Sequence, residues 1–410
     1  MSTPIDVRPL ISESSTSEST TVEVTMNDLR DNILQIPDYQ RDSDQWSEVT
    51  KSLLIESVIN NLSVPAFFFE VTLSENVERN QVVDGQQRIT TMYDFYKNKF
   101  RLVDGQEAPY ISPHHAQYAG KTMDELPQAY QQAFKKYRLT VIKLRNLGDM
   151  RLEVFRRINQ GGTPLSGQDI RLAYYGENSP SLAFIRLVGV HKPEGQAPVR
   201  FLENAKTKYR MAYPWKSKVA LEAWSDWWEG KEVARGQAPS ESFLWSLISA
   251  KYEKLNDILK SPDALQSLNV RFNKGIDESL DAYCAQLAWQ DKNSSVPASL
   301  FDLSELVDNF FPYYESWIGK LLVQKGPNLN VNKSRMVSSI VGAAYAQKIK
   351  IADLTSTHWD RLVEFIRRPK EIAEAAGCEW PQSKGRWDGQ RGYYAQFKAV
   401  HTVLVKILAP

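Results

Sequence analysis

The run Asp84-Gly85-Gln86-Gln87-Arg88-Ile89-Thr90-Thr91 sets a carboxylate, two amides, a guanidinium and two hydroxyls side by side. If this run opens a helix, its unpaired backbone N–H groups and the positive end of the helix dipole favour an anion there. An arginine in a first helical turn is misplaced with respect to that dipole. It is easier to understand if its fork grips phosphate oxygens. A phosphorylated ligand is therefore the first expectation. The plainer alternative makes Gly85 a turn residue, Arg88 a solvated arginine and Asp84 an acceptor for the turn that follows it.

The flanking residues supply the elements that would position this chemistry. Gln81-Val82-Val83 reads as a short strand, and Ile89, Met92, Tyr93 and Tyr96 recur at helical spacing. Upstream, Ile36-Pro37-Asp38-Tyr39-Gln40-Arg41 precedes an amphipathic helix through Leu53, Leu54, Ser57 and Val58, then the aromatic strand Phe67-Phe68-Phe69-Glu70-Val71. Downstream, Phe155-Arg156-Arg157-Ile158-Asn159-Gln160-Gly161-Gly162-Thr163-Pro164-Leu165-Ser166 ends one helix and starts another. Gly161-Gly162 terminates the first, Pro164 prevents its resumption, and Ser166 with Asp169 resembles a capping box.

Taken in order, Ile-Pro-x-Tyr-Gln-Arg, Asp-Gly-Gln-Gln-Arg-x-Thr-Thr and Phe-x-x-Ile-Asn-x-Gly-Gly-x-Pro-Leu-Ser resemble the ParB-like DGQQR family. That family includes the S-subunit half of GmrSD-type modification-dependent restriction systems and the N-terminal domain of the phosphorothioate-sensing protein SspE. The resemblance runs from about Leu34 to Tyr175. It implies a ParB/sulfiredoxin-like α/β domain that binds and hydrolyses a nucleoside triphosphate (GTP, ATP or CTP) with Mg²⁺, coupled to recognition of phage DNA, modified or not. Carried over, Asp84, Gln87 and Arg88 would be catalytic, with Asp84 also the Mg²⁺ ligand. Gly85, Gln86, Thr90, Thr91, Tyr39, Gln40, Arg41, Asn159, Gly161 and Gly162 would bind nucleotide. Asn159 and the two glycines are equally at home as a helix end. The chain has no P-loop signature, so a Walker-type arrangement is not expected.

The family commonly pairs this domain with an HNH nuclease, fused or as a partner subunit. The five histidines, His114, His115, His191, His358 and His401, do not form that module's pattern, so no HNH nuclease is expected in the chain. The leading reading is an anti-phage, triphosphate-hydrolysing sensor subunit, working with phage DNA, a separate nuclease partner and a second copy of itself. Two alternatives stand beside it: a non-catalytic, nucleotide-switched DNA-binding or regulatory module, and a ParB-like DNA nuclease.

Composition narrows the class. A net charge of +1 over 410 residues excludes a globally basic DNA coat. A local DNA-binding patch is expected at Lys135, Lys136, Arg156 and Arg157, with Arg138, Lys143, Arg145 and Arg151 nearby; its plain alternative is a solvated helix face. No apolar run is long enough to span a bilayer, and Cys284 and Cys378 suggest neither a disulfide framework nor a zinc site. A cytoplasmic protein without membrane attachment is expected.

Three regions follow: a loose tail over 1–20, the α/β domain over 21–176 and an all-α helical domain over 177–410, the expected DNA or partner surface. The loop 104–120 reads as a peripheral insertion. Trp215, Trp224, Trp227 and Trp228 read as helix core or as a base-stacking pocket.

Overall fold

The computed structural model describes residues 15–36, 46–74, 77–147, 178–190, 199–229, 238–254, 276–295, 300–325, 329, 333–380 and 390–408, with positions 154, 157, 158, 168, 171, 172, 175 and 176 between them. Contacts divide the chain into two units, Met1–Pro164 and Leu165–Pro410. The division falls earlier than the expected 176.

The first unit is a mixed α/β fold. Its elements run β1 (Ser15–Thr21), α1 (Val22–Arg30), β2 (Leu34–Gln35), α2 (Glu48–Ile59), β3 (Phe67–Ser74), β4 (Val77–Asp84), α3 (Gln86–Tyr96), α4 (Gln128–Lys136) and β5 (Arg138–Leu144). They form one sheet in the order β1-β5-β3-β4-β2. β3 and β4 are an antiparallel pair, β3–β5 and β2–β4 are parallel, and β1 closes the far edge antiparallel to β5.

The aromatic run of β3 follows from its central place. Alternate residues of a strand face opposite sides, and here both sides are covered. Phe67, Phe69, Val82, Leu139 and Val141 pack with Val22, Ile55, Ile89, Met92, Phe95 and Phe134 from α1 to α4. On the opposite face Phe68, Val83, Ile142 and Leu144 pack with Leu147, Val154 and Ile158.

Two expectations are corrected. Residues 15–20, assigned to a loose tail, form most of β1. The strand is polar and largely exposed because it holds the sheet edge through backbone pairing to β5 rather than through buried side chains. The loop 104–120 is not peripheral. Glu56 of α2, 2 % exposed, accepts hydrogen bonds from the backbone N–H groups of Ile111 (3.0 Å) and Ser112 (3.1 Å) and from the Tyr118 hydroxyl (2.7 Å). Burial, then the bond to Glu56, pushes the Tyr118 phenol above its usual value. The loop is thus pinned to the core by one carboxylate.

The regular elements described in the second unit are helical: α5 (Pro180–Gly189), α6 (Val199–Lys208), α7 (Lys218–Trp228), α8 (Ala238–Ala250), α9 (Ile276–Lys292), a π-helical segment (Glu305–Phe310), α10 (Phe311–Lys325), α11 (Ser334–Ala346), α12 (Ser356–Arg367), α13 (Pro369–Ala375) and α14 (Gln390–Ile407). The four tryptophans are core, each under a tenth exposed, with Trp224 against Trp215, Trp227 and Trp228 at ring separations of 5.5–5.8 Å. Packed on one another, they leave no face for a base. α8 and α11 meet closely through small residues: Ser242 and Ser338 hydroxyls lie 2.8 Å apart, and a Cβ on Gly342 would be 2.1 Å from the Ser246 carbonyl. His358 starts α12 in a reciprocal capping box with Thr355. The Ser166–Asp169 capping box lies outside the described residues.

Candidate functional site

β4 ends at Asp84, and Gly85 turns the chain into α3. Gly85 has φ of 97°, in the left-handed region, and a Cβ there would lie 2.4 Å from Phe67 Cδ1. Both facts demand glycine. Just before the turn the β3–β4 register shifts, Phe69 opposing Val82 but Phe68 opposing Asp84, so that Val83 is an extra residue. A bulge of this kind re-aims the side chains beside it, and Asp84 is the next one.

Arg88 reaches back from the first turn of α3. Its Nη2 donates to Asp84 Oδ2 at 2.9 Å and to the Ala66 carbonyl at 3.3 Å, and its Nη1 donates to the Pro65 carbonyl. The guanidinium lies 4.5 Å from the centroid of the Phe67 ring, a cation–π contact. The Arg88 side chain is 13 % exposed and that of Asp84 35 %. Burial pulls the guanidinium below the usual arginine value, opposed by the neighbouring Asp84 carboxylate; arginine stays charged all the same. The sequence pointed Arg88 at a phosphate. Its donors are instead directed to Asp84 and to the two carbonyls where β3 begins.

The rest of the motif divides by depth. Gly85 supplies no side chain to cap α3, whose first intrahelical bond runs from Ile89 N–H to the Gly85 carbonyl. Among the described residues the buried Gln86 Oε1 has no hydrogen-bond partner, which leaves it an acceptor able to take a donor or a cation. Gln87 and Thr90 are partly exposed on the same turn. Thr91 is corrected: at 2 % exposure it belongs to the core-facing side of α3 with Ile89, Met92 and Phe95 and does not meet a ligand from solvent. Tyr39, Gln40, Arg41, Asn159, Gly161, Gly162 and Arg156 lie outside the described residues.

The basic residues at the two ends of β5 do not share one surface. Lys135 and Lys136 end α4 and Arg138 begins β5, while Lys143 and Arg145 sit at the other end of that strand, roughly 20 Å away at a rise of about 3.3 Å per residue. Lys143 pairs with Glu18 at 2.8 Å and Arg145 with Glu78. Lys136 and Arg157 are exposed and Lys135 is half-buried.

Sequence reasoning missed the contribution of Pro65, Ala66 and Phe67, which hold Arg88 through two carbonyls and a ring face. Backbone acceptors carry no residue signature. Only the proline ahead of an aromatic strand hinted at a shaped junction.

Against known families, residues 22–176 match the model of the GmrSD restriction endonuclease N-terminal domain. Those residues, which run a little past the first unit, are thus similar to the GmrSD N-terminal domain, in agreement with the GmrSD-type resemblance read from the motifs. No curated protein and no solved structure matches the chain.

Proposed function

We propose that the chain is a sensor subunit of an anti-phage restriction system, and that its first unit binds and hydrolyses a nucleoside triphosphate with Mg²⁺ in response to phage DNA. The observation that carries this reading is the coincidence of the GmrSD-type match with a junction built around a bulge, a left-handed glycine, a partly exposed Asp84 and a Gln86 Oε1 without a partner among the described residues. The uncapped N-terminus of α3 presents backbone N–H groups where a phosphate would sit.

The donor set suits Mg²⁺ in its usual manner. Among the described residues no cluster of three His, Cys, Asp or Glu forms a metal cage. Mg²⁺ more often enters on one or two carboxylates together with substrate phosphates. Asp84 and Gln86 Oε1 would supply protein oxygens, and the ion would neutralise charge on the transferring phosphoryl group. Arg88 holds Asp84 through Oδ2 and so acts as a positioning residue, leaving Oδ1 as the oxygen that would face a metal ion. Tyr39, Gln40, Arg41, Asn159, Gly161 and Gly162 keep the nucleotide-contacting roles that the family implies, as do Gln87 and Thr90. Lys135, Lys136, Arg156 and Arg157 remain the proposed contacts to DNA phosphates.

Phosphate release from GTP, ATP, CTP and UTP in Mg²⁺, with and without phage DNA, tests the reading. Turnover that responds to DNA is expected. Binding without turnover would favour the non-catalytic nucleotide switch, and metal-dependent nicking of plasmid by the single chain would favour the ParB-like nuclease.

A further inference from the structure

We propose that the second unit carries a small-molecule site of its own, for a ligand with an apolar aromatic body and one anionic group, independent of the triphosphate reading above. A cavity of about 470 Å³ opens between the segment following α6 and the π-helical turn leading into α10. That size falls within the range of small-molecule pockets. Its apolar walls are Phe184, Met211, Tyr213, Leu303, Val307 and Phe311.

The polar groups of the rim are unequally engaged. Glu315, 8 % exposed, accepts from the backbone N–H groups of Lys216 (2.6 Å) and Ser217 (2.8 Å). Asp308 accepts from the Ser304 hydroxyl at 2.9 Å. Tyr213 donates its hydroxyl to the Val190 carbonyl. The side chains of Arg210 and Lys216 are exposed at the same cavity and make no ion pair or hydrogen bond among the described residues. Both acids keep their charge but already hold donors, whereas Arg210 and Lys216 have no partner among the described residues and are the groups free to take an anion.

Two backbone irregularities fall on this one cavity. Arg210 has φ of 54°, a left-handed position just after α6 where Met211 N–H turns back to the Ala205 carbonyl at 3.0 Å. Glycine is the residue that ordinarily ends a helix this way, so an arginine there accepts strain and gains a charged side chain at the rim. Opposite it, Glu305–Phe310 is a π-helix, with Phe311 N–H donating to the Leu306 carbonyl. Pro312 brings no N–H and crowds the carbonyl four residues before it, which a wider turn relieves. Strained backbone and π-helical turns both concentrate at functional sites, and here one of each falls on the same cavity.

Arg210→Gly separates a ligand role from a structural one, because glycine suits the left-handed position and should leave the thermal midpoint unchanged or raise it. The probes are 1-anilinonaphthalene-8-sulfonate and its neutral analogue N-phenyl-1-naphthylamine, titrated into the full chain by fluorescence. The wild type should bind both, with the sulfonate weakened about ten-fold in Arg210→Gly, the worth of one charge-assisted contact, and the neutral dye unchanged. Val307→Trp, which fills the cavity from a residue 37 % exposed, should weaken both. Equal binding of the sulfonate by wild type and Arg210→Gly, equal loss of both dyes in that variant, or no binding of either dye by the wild type would overturn the proposal.

Discussion

Asp84 and Arg88 form an ion pair of 2.9 Å across the turn between β4 and α3, and the same guanidinium holds the carbonyls of Pro65 and Ala66 at the start of β3. The arginine is therefore a clasp on the junction that carries the candidate site. Replacing it with alanine would strand an acid and two carbonyls as well as remove a charge. The guanidinium is mostly withdrawn from solvent, so Arg88→Ala should cost about 2 kcal/mol of stability or more. A denaturant midpoint equal to wild type would contradict the clasp.

Gly85→Ala should fail in two ways at once. The left-handed φ is strained for alanine, and the new methyl would collide with the buried Phe67 ring. A loss of about 2–4 kcal/mol is expected in denaturant unfolding of the first unit, from backbone strain plus overpacking. Wild-type stability would mean that the turn relaxes freely.

Glu56→Ala should release the loop 104–120. Three donors, from Ile111, Ser112 and Tyr118, would lose one buried acceptor. About 3 kcal/mol is expected from the unsatisfied groups, with faster amide exchange at Ile111 and Ser112. Unchanged exchange at those two amides would refute the anchoring role.

In the second unit Arg171, 1 % exposed, donates to Asp281, fully buried, at 2.8 Å, to Glu241 at 3.0 Å and to Gln168 at 3.0 Å. Removing Asp281 takes the fully buried one of these two carboxylates from a buried guanidinium and leaves Glu241 to compensate it only in part. Asp281→Ala should destabilise this unit by about 3–5 kcal/mol, read as a fall in its thermal midpoint; a shift of under a degree would contradict the pairing.

His401 lends the same unit a pH dependence. Burial lowers its pKa from 6.5, only partly opposed by its hydrogen bond to the Ser249 carbonyl. Between the folded and unfolded values the unfolded chain binds more protons, so stability rises with pH there. The contribution is complete above about pH 6.5 and is lost as pH falls through the depressed folded value. His401→Gln should flatten the midpoint-versus-pH curve in that window, and an identical curve would remove His401 as its source.

What the sequence disclosed was local. Val82 and Val83, the Phe67–Phe69 run and the Gly85 turn announced two strands and a helix start, because alternation, burial on both faces and a left-handed turn each leave a residue signature. β1 was missed because an edge strand of Ser, Thr and Glu is held by backbone bonds alone. The anchoring of the 104–120 loop was hidden because its acceptor, Glu56, stands 55 and 56 residues away from the amides it holds. Arg88 was recognised as unusual for a first turn, but its partners include main-chain oxygens of Pro65 and Ala66, which no residue type encodes.

Triphosphate hydrolysis is the activity proposed for the junction at Asp84. Asp84→Asn tests it most directly, since the amide oxygen can still accept from Arg88 and spare the clasp while the carboxylate charge is lost. Phosphate release in Mg²⁺, with and without phage DNA, should fall at least about a hundred-fold in this variant, the scale of a lost charge-stabilising group, with the unfolding midpoint close to wild type. Full turnover by folded Asp84→Asn would contradict the account.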